Sequence, residues 1–305
     1  MTARLRCLVV VALTILSPCL AFGQKSAVPW VGHKVVAKEQ CPLMVGATVV
    51  DNGARHRIYT VEKADGDRLW LVAPGAPSGW MHCSKVVPFN DAIDYFNTQI
   101  HDHPKSAHAY LRLAAIWNDK REYDRAIASL DEAIRLDPND PLAFNNRGWN
   151  WWSKGDGNRA IADYTEAIRL DPRSALTYGN RAAVRHARKE FEKALDDLNE
   201  AIRLDPKYAH AYSDRAWIWS TCPDKKIRNG KRAVASAERA CELSGWNYAD
   251  VVGTLAAAKA EVGDFARAVE WQSKANQLYS EQEARRDGII RLALYREKKP
   301  FRERE

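Results

Sequence analysis

The side chains able to do chemistry in this chain are few and widely separated. Cys41, Cys83, Cys222 and Cys241 stand outside the apolar N-terminus and form no C-x-x-C pair, so a thiolate metal cluster is not indicated. Their spacing suggests one disulfide in each region, Cys41 with Cys83 and Cys222 with Cys241, although four cysteines permit three connectivities. His33 and His82 could join Cys41 and Cys83 as metal ligands, but a disulfide and two surface histidines account for the same residues. No phosphate loop, H-E-x-x-H, G-x-S-x-G or glycine-rich dinucleotide turn occurs, so no catalytic residue, metal or cofactor is assigned. Acidic pairs such as Asp196-Asp197 read as solvated helix surface. What remains is binding chemistry, carried by tryptophans: Trp149, Trp152 and Trp217 are large apolar groups that would mark a contact surface if left uncovered.

The elements that would position these residues begin with a leader. Arg4 and Arg6 precede an uncharged apolar run, Cys7 to Leu20, and then Ala21-Phe22-Gly23, the layout of a secretory signal peptide over residues 1–23. Left uncleaved, it would serve as an N-terminal anchor, but the run is shorter than the ~20 residues a comfortable span needs. A short linker, 24–29, follows, and no later stretch approaches spanning length. The expected address is periplasmic or secreted. The net charge of +7 is modest, and basic residues alternate with acids instead of forming one stripe, which argues against nucleic acid.

The dominant pattern is a repeat. Pro104, Pro138, Pro172 and Pro206 recur every 34 residues, and Ala92, Ala126, Ala160 and Ala194 keep the same interval. Proline after Asp stops a helix, because it lacks the N–H and disfavours helical geometry in the residue before it. Three units, 107–140, 141–174 and 175–208, end in nearly the same words, as in Ala133-Ile134-Arg135-Leu136-Asp137-Pro138. A half-unit, 91–104, leads in. A fourth, 209–246, carries a turn about five residues longer than the others, containing Cys222 to Gly230. A worn fifth, 247–279, follows. Ser280 and Glu283 look like a capping box for a last amphipathic helix bearing Ile289, Ile290, Ala293 and Leu294. With its tail, this segment, 280–305, reads as the polar-faced cap that an open array needs.

Tyr110, Ala114, Trp117, Ala126, Ala133 and Pro138, then Phe144, Gly148, Trp151, Ala160, Ala167 and Pro172, resemble the tetratricopeptide-repeat pattern. The third unit, with Tyr178, Ala182, Ala194, Ala201 and Pro206, departs from it only at Arg185. The resemblance implies two helices per unit, crossing where small side chains allow close approach, stacked into an α-solenoid of about four to five repeats over residues 90–279. It also implies that the first helix of each unit supplies a concave groove. Asn145, Trp149 and Trp152 of the second unit, His186 of the third, and Ser213, Trp217, Ser220 and Thr221 of the fourth fall at groove positions. Trp117, Trp151 and Trp219 instead occupy packing positions. The groove tryptophans are therefore candidate anchors for an extended peptide or amphipathic helix; packing against the next helix or a terminal segment is the alternative. The Lys/Asn clamp that some relatives use for C-terminal carboxylates is missing, because Leu111 and Ala115 stand in its place. Asn146, Asn180 and Asp214, each followed by Arg147, Arg181 or Arg215, read as hydrogen bonds and ion pairs between repeats.

Between Trp30 and Phe89 the period changes to short β-rich runs, Lys34–Val36, Thr48–Val50, Arg57–Val61 and Leu69–Val72, separated by turn signals. With Gly79-Trp80-Met81 and Ser84 to Pro88, residues 30–89 resemble a bacterial SH3-like domain, a small antiparallel barrel of about five strands. In that family exposed aromatics can line a ligand groove, and Tyr59, Trp70 and Trp80 occupy candidate places. The chain is thus expected to be mainly α, a solenoid preceded by a small β-barrel. Its expected role is that of a non-enzymatic scaffold holding a protein or peptide; the alternative is a cell-wall or glycan binder acting through the β domain.

Overall fold

The computed structural model describes residues 30–39, 42–45, 48–51, 58–73 and 77–303; the leader, the linker and Cys41 lie outside them. The chain divides into two compact units, Met1–Glu122 and Tyr123–Glu305.

The first unit is built on one antiparallel sheet of β1 (Lys34–Ala37), β2 (Leu43–Val45), β3 (Thr48–Asp51), β4 (Ile58–Asp65), β5 (Arg68–Val72), β6 (Gly79–His82) and β7 (Val86–Pro88), in the order β3-β2-β6-β5-β4-β1-β7. Seven strands replace the expected five or so. The three residues of β2 are too few for an alternating pattern to be read from sequence. Gly66, at φ +57°, closes the tight β4–β5 hairpin, in which Asp65 faces Arg68. Alternation then sorts the side chains. Val35, Tyr59, Val61, Leu69, Leu71 and Met81 form one core. Val36 and Val87, on the opposite face, pack with Ala92 and Phe96 of α1 (Ala92–Asp102) and Ala109 and Ile116 of α2 (Ala107–Asp119).

The second unit is helical: α3 (Tyr123–Leu136), α4 (Pro141–Ser153), α5 (Gly157–Leu170), α6 (Ala175–Ala187), α7 (Phe191–Leu204), α8 (Ala209–Thr221), α9 (Gly230–Leu243), α10 (Ala249–Glu261), α11 (Phe265–Leu278) and α12 (Gln282–Arg296). The Asp-Pro stops are built twice over. Besides the proline, Asp137, Asp171 and Asp205 each accept a hydrogen bond from the backbone N–H two residues on, at 3.1, 3.0 and 2.9 Å. After the first two stops the next helix starts on a side-chain cap, Asp140 before α4 and Ser174 before α6, whereas Tyr208 before α8 supplies none. Within each pair the crossing is made by small residues. Ala160, Ala194 and Ala233 are fully buried, as are Ala167, Ala201 and Ala240. Gly148 is needed for approach: a Cβ there would sit 3.0 Å from the Tyr164 ring and 3.2 Å from the Ala160 carbonyl.

Several expectations change. Cys222 and Cys241 are buried free thiols, not a disulfide. Cys222 packs with Ala182, Phe191 and Leu198, whereas Cys241 packs with Ala216, Val251 and Leu255, so the two sulfurs belong to different layers. Burial raises the Cys241 thiol to about 12. Cys83 is disulfide-bonded; its expected partner, Cys41, falls outside the described residues. α12 starts after Glu281, whose carbonyl accepts from Arg285 N–H, so the helix begins one residue later than a cap at Ser280 implies; the Glu283 side chain lies outside the described residues. Ile289 and Ile290 of α12 point to water, and Gly288 and Tyr295 face inward instead. The long fourth turn is a folded structural loop. The Arg228 guanidinium donates to the carbonyls of Cys222 and Pro223 at 2.8 and 2.9 Å, and Asn229 N–H bonds to Trp219 O.

Replacing Ala160 by Leu should overpack the α4–α5 crossing and destabilise the protein by about 1–3 kcal/mol. Thermal melting measures this; an unchanged midpoint would mean that the crossing is not where the alanines place it.

Candidate functional site

The face that could bind a partner is set by how each helical pair is held to the one before it. Arg147 donates to Asp163 of its own pair at 2.7–2.8 Å and to Asp131 of the preceding pair at 2.8 Å. Arg181 repeats this with Asp197 at 2.8–3.0 Å and Thr165 at 3.0 Å. Arg215 repeats it with Ser236 at 3.2–3.3 Å and Asn199 at 2.9 Å. Each arginine reaches a partner 16 residues away in both directions, except that Arg215 reaches 21 forward, the difference being the five residues added in the fourth turn. A second set joins Lys154 to Asp124 and Arg188 to Asn158. Asp197 is therefore not the solvated acid its Asp-Asp context suggests. Its side chain is 4% exposed and takes both Arg181 and Arg185.

These staples align the first helices, α4, α6, α8 and α10, in a row that is bonded directly across neighbours. Asn180 Nδ2 donates to Asn145 Oδ1 at 3.0 Å, and Ser213 Oγ to Thr254 Oγ1 at 3.2 Å. Asn145 and Ser213 are buried in those contacts, so they build the face without being offered by it. Of the sixth-position residues, Asn180 bridges repeats, Asn146 accepts from Asn145 at its side chain, 3.4 Å, and from Asn150 at its carbonyl, 2.8 Å, both within α4, and Asp214 is exposed.

The three tryptophans expected in a groove separate into different environments. Trp149 is 46% exposed on α4. Trp152 packs with Ala160, Tyr164 and Val184, contacting the next pair, and borders a surface cavity of about 580 Å³ with Lys154, Arg159 and Arg188. Trp217 is covered by the chain's own tail. Its ring lies 5.8 Å from that of Phe301, its Nε1–H donates to Glu303 Oε1, and Arg291 stands 5.6 Å from the ring centre. His186 Nε2 meets the other Glu303 carboxylate oxygen at 3.0 Å. Burial alone would raise the Glu303 carboxyl, but the bonds from His186 and Trp217 outweigh it and hold the group below its ordinary range. Glu303 N–H also donates to Thr221 O at 3.0 Å, and Arg302 reaches Ser220 O at 3.1 Å and the Glu261 carboxylate. Trp151 and Trp219, at packing positions, carry arginines instead: Arg159 at 3.6 Å and Arg215 at 4.8 Å. Sequence reasoning missed Phe301 and Glu303. The available signal was a lone aromatic in an otherwise charged, proline-broken tail.

In the β unit, Tyr59 is fully buried in the core and offers no ligand face. Trp70 and Trp80 face each other across β5 and β6 on the opposite side, edge to face at 5.4 Å and partly exposed, with Arg68 over Trp80. Among the described residues no group of three or more His, Cys, Asp or Glu gathers as a metal site, and no helix is long and apolar enough to cross a membrane.

Stacked helical hairpins with small residues at the crossings and a bonded row of first helices define a helical-repeat solenoid. Residues 89–141 and 175–208 match models of the tetratricopeptide repeat, and the chain carries that repeat. No curated protein matches it in sequence. Among solved structures it is similar to PilW, a type IV pilus biogenesis factor, with TM-score 0.56 and 17% identity over 66% of this chain and 90% of that one. It is also similar to YrrB, a TPR protein with an unusual peptide-binding site, with TM-score 0.51 and 18% identity over 65% and 99%. Yeast Tom70 matches with TM-score 0.53 and 18% identity over 68% and 43%. At these identities the likeness is one of fold.

Replacing Asp197 by Ala removes a buried carboxylate that pairs two partly buried guanidinium groups and should cost about 3 kcal/mol. Glu200→Ala, which removes an exposed pair with Arg203 on the same helix, should leave the midpoint nearly unchanged. Denaturant midpoints compare the two; equal costs would remove the staple's special role.

Proposed function

We propose that the protein is an exported, non-enzymatic interaction scaffold that holds a peptide or protein segment on its row of first helices. The observation that carries the reading is Trp149. The packing positions of its repeat are already filled by Gly148 and Trp151, yet Trp149, at the repeat position equivalent to Trp217, stands 46% exposed. A large aromatic left uncovered on an otherwise bonded face is characteristic of an anchor. Tetratricopeptide repeats support the scaffold class, and the peptide-binding site that YrrB is described as having is compatible with it. Export rests on the leader: Arg4, Arg6, the apolar run and Ala21-Phe22-Gly23. The β unit, read as SH3-like, serves in this account as the module that precedes the repeats. A cell-wall ligand there has less behind it, because one of its three candidate aromatics is core.

Trp149→Ala should leave stability within the surface range of about 0.5 kcal/mol while reducing partner capture at least about tenfold. Affinity capture from the exported fraction, with the parent chain alongside, reads the effect. Undiminished capture by a folded Trp149→Ala protein would remove this face from the function.

A further inference from the structure

The tail after α12 behaves as a bound peptide. Lys298, at φ +56°, ends the helix, and Pro300 prevents its continuation, so the chain turns back across the ends of α10, α8 and α6. Its contacts are those of a ligand on a receptor. Phe301 lies on Trp217, Arg302 reaches the Ser220 carbonyl and Glu261, and the Glu303 carboxylate is shared by His186 and Trp217. The Glu303 backbone N–H bonds to Thr221 O. Trp217, Ser220 and Thr221 of α8 and His186 of α6 all lie on first helices, in the row that is bonded across neighbours. Trp149, the ninth-position counterpart of Trp217 two repeats earlier, remains uncovered.

We infer that Phe301-Arg302-Glu303 is an internal ligand of this face, and that the partner it holds off is an extended peptide carrying an aromatic, then a basic, then an acidic residue. The order follows from the receptor groups: an indole face, a carbonyl beside a carboxylate, and two ring N–H groups converging on one carboxylate. A tethered ligand is present at high effective concentration, so a free competitor meets a face that is open only part of the time, and its apparent affinity falls by that fraction. This inference rests on the scaffold reading and adds the partner's chemistry and a gate.

The test uses the full chain and a fluorescein-labelled peptide copying residues 298–303, Lys-Lys-Pro-Phe-Arg-Glu, followed by anisotropy. The double variant Phe301→Ala/Glu303→Gln should bind it at least about tenfold more tightly than the parent chain. Adding Trp217→Ala should remove the gain, and a probe lacking the Phe and Glu side chains should not show it. A double variant that keeps its helical signal and melting midpoint but binds no more tightly than the parent overturns the inference. If the double variant loses its fold, Glu303→Gln alone carries the same comparison, and absence of a gain overturns it equally. If peptide binding fails while partner capture still depends on Trp149, the tail's role falls and the scaffold reading stands. A peptide gain with Trp149-independent capture gives the reverse.

Discussion

The arginine at the seventh position of each central repeat is the constraint from which the rest follows. Arg147, Arg181 and Arg215 each hold the second helix of their own pair and the second helix of the pair before. In a solenoid, stability is close to a sum of repeat and nearest-neighbour terms, so an interaction that fixes both at once also fixes the stacking register. With the register set, the small residues of adjacent helices meet, and the first helices come close enough for Asn180 to bond Asn145 and Ser213 to bond Thr254. A row aligned in this way presents equivalent positions side by side. Without that alignment Trp217 and His186 could not share one carboxylate.

The site's chemistry is that of a carboxylate withdrawn from water and repaid by donors. Glu303 lies among apolar rings, where a lone acid would prefer its proton, yet the His186 and Trp217 bonds keep it on the charged side. The middle residue is held by opposite charge, since Arg302 meets Glu261, itself paired with Arg228 from the long fourth turn at 3.2 Å. The five added residues therefore do more than lengthen a loop. They bring a cation to the acid against which the tail is seated.

Much of this was legible in the sequence because the features responsible tolerate little change. A 34-residue recurrence of proline and alanine reflects helix stops and crossings that no larger residue can make, and the arginines were readable as bonds between repeats for the same reason. The five-residue excess in the fourth turn reappears as the longer reach from Arg215 to Ser236. What was not legible depends on which way a side chain turns. Of the adjacent Asp196 and Asp197, only the latter lies at the helix angle that meets Arg181. On α12 the isoleucines that look like a buried face are outside, and Gly288, closely approached by Asn276, marks the real one. The pairing of Cys222 with Cys241 failed because sequence proximity says nothing about layers. The tail was invisible to periodicity, because a three-residue contact has none.

The row of first helices holds an extended segment by its backbone as well as its side chains. Amide hydrogen exchange at Glu303 in the full chain measures this directly, since that N–H donates to Thr221 O. Exchange there should be at least about tenfold slower than in the free tail peptide, as for an amide released only by local opening. Exchange at the free-peptide rate would contradict it.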